Sequence, residues 1–125
     1  MITLTMLLTK RDDLTDEEFR RYYEERHVPL VARLVKARPV SYVRHHRLDN
    51  DLARRLATGR GDTVDKETTA ITHITFATRT DAEHLIEAML EPSVREALAA
   101  DEGRFIAEGG IRWLTTGDPD DDSPS

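Results

Sequence analysis

The sequence predicts an α+β domain with the element order β-α-β-β-α-β, and three observations predict it. Residues 2–8, 41–48, 71–77 and 111–116 carry apolar and β-prone residues at or near strand period. Two longer segments open with helix start signals and continue with apolar residues three and four apart. The 125 residues, 38% hydrophobic and 34% charged, can build one sheet with helices packed on it, and are too few for two independent cores.

Residues 2–8 read Ile-Thr-Leu-Thr-Met-Leu-Leu, the alternation of a half-buried strand. A polar connection, 10–14, leads to Thr15-Asp16-Glu17-Glu18. This is a capping box, in which the Thr15 hydroxyl accepts the Glu18 N–H and the Glu18 carboxylate reaches back. Its acidic first turn suits the helix dipole. Phe19, Tyr22, Tyr23, Arg26, His27 and Leu30 then share one helical face. Pro29 lacks an N–H, so a kink or break is expected after His27, with a looser extension through 31–35. Residues 41–48 are the second strand. The polar stretch 49–70 reads as a long loop with a helical turn near 52–57. The third strand is 71–77. Thr80-Asp81-Ala82-Glu83 repeats the capping-box pattern and opens a helix to about Leu90, which Pro92 breaks. A further helical segment, 93–100, runs toward Phe105; Gly109-Gly110 ends it, and 111–116 is the last strand.

This order is the ferredoxin-like split βαβ arrangement, a four-stranded antiparallel sheet with helices on one face. The outward positions Leu7, Ile71, His73 and Thr75 are mixed in character, so the bare face suits burial against a twin subunit. The domain is expected to span 1–116. Residues 117–125 hold Asp118, Asp120, Asp121 and Asp122 with almost no apolar surface, and are expected to form a disordered acidic tail.

The net charge is −6, much of it in that tail, and no basic stripe favours nucleic acid. There is no cysteine, hence no disulfide, thiolate nucleophile or cysteine metal site. The start has no signal-peptide pattern, and no apolar run approaches the roughly 20 residues of a membrane helix. A soluble cytoplasmic protein is expected. No His-x-His or His-Glu-x-x-His spacing occurs, so no metal site is expected, and no glycine-rich phosphate loop or serine elbow is present.

Three segments resemble the EthD-domain family of the dimeric α/β-barrel superfamily. Glu18 to Leu30, with Tyr22-Tyr23 before His27-Val28-Pro29-Leu30, is similar to that family's first helix, where an aromatic pair precedes a His-x-Pro-Leu turn. Tyr42-Val43-Arg44-His45-His46 resembles its second strand, and Asp101-Glu102-Gly103-Arg104-Phe105 its Asp-Glu-x-x-Phe segment before the last strand. The match spans most of 2–114. Tyr23 stands where the family usually has Trp, and His73 where an acidic or apolar residue is usual. The resemblance implies a dimeric α/β barrel, a homodimer, and no obligatory metal or organic cofactor. It links the chain to degradation of organic compounds or to aromatic polyketide pathways such as antibiotic biosynthesis.

Histidine titrates near neutrality, so without cysteine it is the natural general base. His27 lies one turn after Tyr23 on the apolar face, either facing a pocket or bonded within the core. His45 and His46 face opposite sides of their strand. Tyr42, Arg44 and His46 share one side, which the family motif assigns to the pocket. His73 lies beside Ile71 and Thr75 and reads first as an interface residue; His84 reads as solvated. Asp101 and Glu102 read as helix-end or Arg104 partners ahead of an acid pair.

These readings assign catalysis to His27, His46 and Tyr42, and substrate binding to Tyr23, Arg44, His73 and Trp113. The function expected is a cofactor-free lyase or cyclase acting on an aromatic or polyketide-like molecule by dehydration, ring closure or decarboxylation. The alternatives are a cofactor-independent monooxygenase of an aromatic polyketide, and a non-catalytic small-molecule-binding protein of a catabolic operon.

Overall fold

A computed structural model describes residues 1–122. Four antiparallel strands, β1 (Ile2–Lys10), β2 (Ser41–His46), β3 (Ala70–Phe76) and β4 (Ile106–Gly117), form one sheet in the order β2-β3-β1-β4. This is the ferredoxin-like α+β fold. Strand alternation sends Met6, Leu8, Ala70, Thr72, Ile74 and Phe76 into the core, all buried. The helices α1 (Asp16–Tyr22), α2 (Val28–Leu34), α4 (Arg79–Leu90) and α5 (Pro92–Glu102) cover that face. A further helix, α3 (Leu52–Arg60), lies between β2 and β3.

The core has two parts. Phe19, Tyr23 and Phe105 pack with Met6, Leu8 and Ala70 at one end. Leu85 and Leu98 pack with Val35, Ile74 and Phe76 at the other. The candidate site lies where the two meet.

Several elements differ from the sequence expectation. The helical turn near 52–57 is the full helix α3, closed at Gly61, whose φ of 81° suits glycine. The second capping box is not at Thr80: Thr78 caps α4 by accepting the Asp81 N–H. Gly109-Gly110 does not precede β4 but sits inside it. The β1–β4 register shifts between Leu8 and Lys10, and Gly109 takes a φ of 69°, a glycine-dependent bulge. A side-chain carbon on Gly110 would come within 2.7 Å of the Ala107 carbonyl oxygen and 2.8 Å of that of Thr9.

The acidic segment also differs from the disordered tail expected over 117–125. Pro119–Asp122 forms a 3-10 turn in which Asp122 takes Arg79 at 2.7 Å and Asp121 takes the Met1 ammonium. Charge pairing holds this stretch where burial cannot. The remainder of that tail, 123–125, lies outside the described residues. Among the described residues no helix is long and apolar enough to cross a membrane.

Candidate active site

The helix that opens with the Thr15–Glu18 capping box is not broken at Pro29. It widens instead into a π-helical turn, Tyr23–His27, and continues as α2 with Pro29 in its first turn. Pro29 has no N–H to give to the carbonyl four residues back, and its ring would crowd that carbonyl. The Val28 N–H therefore bonds the Tyr23 carbonyl, five residues back. Such insertions recur at functional sites because they re-aim side chains. Here Tyr23 and His27 are both turned into the protein and buried.

His27 meets a cavity of about 270 Å³ between α2, the sheet and α5. Aliphatic side chains, among them Val31, Val35, Ile74 and Leu98, form most of its wall. The polar lining comes from Tyr23, His27, Tyr42 and Glu102. A small apolar chamber with a few convergent polar groups is the usual form of a site for an organic ligand.

The His27 ring is oriented from behind. Its Nδ1 donates to Asp101 Oδ2 at 2.9 Å, and the Tyr22 hydroxyl donates to Asp101 Oδ1 at 2.6 Å. With the proton on Nδ1, the lone pair sits on Nε2, which lies 3.8 Å from Glu102 Oε2. Burial pushes the His27 imidazole below its ordinary value, and the bond to Asp101 opposes this in part. Burial, helped by the Asp101 charge, raises the Glu102 carboxyl to about 7. Near neutral pH the site therefore holds a neutral imidazole base beside a carboxyl that can carry a proton. Burial also raises the Tyr23 and Tyr42 phenols, so both remain O–H groups. Tyr23 is hydrogen-bonded to the Thr72 hydroxyl, and Tyr42 lies against it.

This arrangement carries a stability penalty with a definite sign. The Glu102 carboxyl is raised from 4.5 to about 7, so ionising it in the folded chain is disfavoured. The penalty is absent below pH 4.5, grows as pH rises, and is complete above about 7. Glu102→Gln should therefore stabilise the fold by about 1–3 kcal/mol above that range and by little at acid pH. Urea unfolding on both sides of neutrality measures this; equal stability of the two proteins at high pH would contradict the buried carboxyl.

A second polar cluster lies behind Tyr42. The Glu24 carboxylate accepts Arg44 Nε at 2.9 Å, Arg44 Nη2 at 2.8 Å and His46 Nε2 at 2.9 Å. The Arg44 hydrogen bond, with help from His46, holds the Glu24 carboxyl down at about 2. The Arg44 guanidinium also lies over the Tyr42 ring, 4.8 Å from its centre. The cluster thus positions one wall of the cavity.

The EthD domain family model matches residues 11–109, from the loop before α1 into β4. The chain belongs to the EthD domain family. An ethyl tert-butyl ether D (EthD) family protein of Bacillus halodurans is similar in structure, with a TM-score of 0.58, 16% identity, and coverage of 94% of this chain and 98% of that one. A protein of Arabidopsis thaliana gives 0.58 at 14% identity over 100% and 99%. A protein of Bacteroides fragilis, described as dimeric and ferredoxin-like, gives 0.51 at 9% identity over 92% and 93%. At these identities the likeness is one of fold. No curated protein matches the chain in sequence.

Within this EthD domain the structure brings together His27, Tyr23 and Tyr42 from the expected set. It does not bring His46 or Arg44 to the cavity, because Glu24 binds both on its own side. His46 instead packs edge-on against Phe19 and Tyr23, its Nδ1 buried without a partner. His73, expected to bind substrate, points from the opposite sheet face, where Thr5 Oγ1 lies 3.0 Å from its Nδ1 and the His45 ring meets it edge-on with centres 5.5 Å apart. Strand alternation separates it from Thr72 and Ile74. Trp113 lines a neighbouring larger cavity. Among the described residues no cluster of three or more metal-ligating side chains occurs.

Sequence reasoning undervalued Asp101 and Glu102 and missed Glu24. The first two stand in the EthD Asp-Glu-x-x-Phe segment, a signal present in the chain but read as structural. Glu24 carries no such signal. Its partners lie 20 and 22 residues away on a strand, and only the folded register aligns them.

Proposed function

We propose that this EthD domain is a lyase or cyclase that uses histidine acid–base chemistry, without a cofactor, on an aromatic or polyketide-like molecule. One observation carries the reading: His27, fixed through Nδ1 by Asp101, presents Nε2 to an apolar cavity beside the raised carboxyl of Glu102. Nε2 removes a proton from carbon next to a substrate carbonyl. The C–H electron pair moves onto the carbonyl oxygen, and the enolate accepts a hydrogen bond from the Tyr42 hydroxyl. In dehydration the enolate expels a β-hydroxyl, which takes the Glu102 proton and leaves as water. In ring closure the enolate carbon attacks a second carbonyl, whose oxygen takes that proton.

Since Glu102 acts in its protonated form, activity should fall as pH rises through about 7. Glu102→Gln should abolish this alkaline limb and lower kcat by about 10²-fold. Turnover of a poly-β-ketone thioester against pH measures both. An alkaline limb that survives the substitution removes Glu102 from the reaction.

The same reading includes a homodimer. The uncovered sheet face carries Val43 and Leu114, 41% and 55% exposed, beside Thr5 and His73. A two-fold interface would bury such a face. Val43→Glu should shift the protein to monomer in sedimentation velocity, and an unchanged sedimentation coefficient would place any interface elsewhere.

A further inference from the structure

The cavity at His27 has a larger neighbour that the mechanism above does not use. This second cavity, of about 500 Å³, lies between α4, α5 and β4. It shares Leu85, Met89, Leu98 and Glu102 with the first, so Glu102 stands where the two meet. Its wall is apolar apart from two charged residues, Glu102 at one end and Arg95 at the other. Trp113, 48% exposed, supplies an aromatic surface on the β4 side.

Arg95, an exposed residue that lines this cavity, is not held by a carboxylate as the arginines of the polar clusters are. Arg44 is held by Glu24, Arg47 by Asp16, and Arg79 by Glu83 and Asp122. Among the described residues the Arg95 guanidinium has no hydrogen bond or ion pair. The carboxylate one turn earlier, Glu91, is occupied with the Ser93 hydroxyl and the Val94 N–H at the start of α5. An unpartnered cation on an apolar wall attracts an anionic group whose body is apolar.

We propose that the joined cavities take an elongated organic acid, its anionic group on Arg95, its body against Trp113 and its reacting end at Glu102 and His27. This rests on the acid–base reading and names the substrate class of that site. Two features of the chain set length and direction. Arg95 and Glu102 are seven residues apart on α5 and line the same cavity, a separation of about 10 Å along the axis. A ligand much shorter cannot reach both. Direction follows from charge: the Asp101 carboxylate repels an anion at the His27 end, while Arg95 attracts one at the other. The reactive carbonyl is thereby delivered to the imidazole.

Trp113 is the only tryptophan in the chain, so its fluorescence reports this cavity directly. The probes are octanoate and octanol, which share chain length and differ in charge. Octanoate should shift Trp113 emission to the blue and bind more tightly than octanol. Arg95→Gln should weaken octanoate about three- to five-fold and leave octanol essentially unchanged. Each methylene removed from octanoate should weaken binding about four-fold. His27→Asn should leave the dependence of octanoate binding on Arg95 in place, because the anionic group sits at the far end of the joined cavities. Equal weakening of both probes by Arg95→Gln, no effect on either, or a flat chain-length series would overturn the proposal. If His27→Asn leaves turnover intact while octanoate still depends on Arg95, the acid–base reading falls and the organic-acid ligand stands.

Discussion

His27→Asn should lower turnover by about 10²- to 10⁴-fold with the fold intact. Asparagine is the informative replacement because its amide nitrogen falls near the position of Nδ1. It can still donate to Asp101, so the buried carboxylate keeps a partner and the Tyr22 hydroxyl keeps its acceptor. What disappears is Nε2, the atom that faces Glu102 and the cavity. A purely structural His27 predicts another result: normal turnover in the asparagine variant, with any change confined to stability. Measured kcat and KM, with the urea midpoint as a fold control, separate the two. A loss in kcat at unchanged KM is the expected signature, since proton abstraction occurs only in the transition state.

The largest effect on stability is expected at Glu24. Removing its carboxylate by Glu24→Ala strands Arg44 and His46, whose side chains are 23% and 10% exposed. Two charge-assisted interactions are lost, His46 Nε2 is left without a partner and Arg44 keeps only the Tyr42 carbonyl at 3.3 Å, a change of about 2–3 kcal/mol. The pH dependence has a fixed sign. The Glu24 carboxyl falls from 4.5 to about 2 on folding, so its stabilisation is complete above pH 4.5 and is lost as pH falls toward 2. The variant and the parent should therefore converge in stability at strongly acid pH. A constant gap across that window would assign the loss to packing. Because Arg44 lies over the Tyr42 ring, Glu24→Ala should also raise KM while leaving the limb near neutral pH in place.

The strand pattern, the Thr15 capping box and the spacing of Phe19, Tyr23 and His27 are local features, set by periods of two and about 3.6 residues. They sufficed for the α+β order, for the core face of β3, and for placing His27 on the buried side of its helix. Local signals also misled. Gly109-Gly110 resembles a helix stop, yet it forms a bulge, because only pairing with β1 reveals that the chain is already a strand. Pro29 resembles a helix breaker, yet a five-residue hydrogen bond absorbs it.

The sequence by itself determined the ferredoxin-like element order, the family motifs, and a histidine buried at the end of the first helix. The tertiary structure alone decided which groups that histidine meets. Asp101 and Glu102 are 74 and 75 residues away along the chain, and Glu24 reaches across to β2. The physical reason is range. Backbone periodicity is encoded within one or two turns, whereas proton affinity depends on burial and charge within a few ångströms in space. Only the closed fold removes water from Glu102 and aims the His27 lone pair at it.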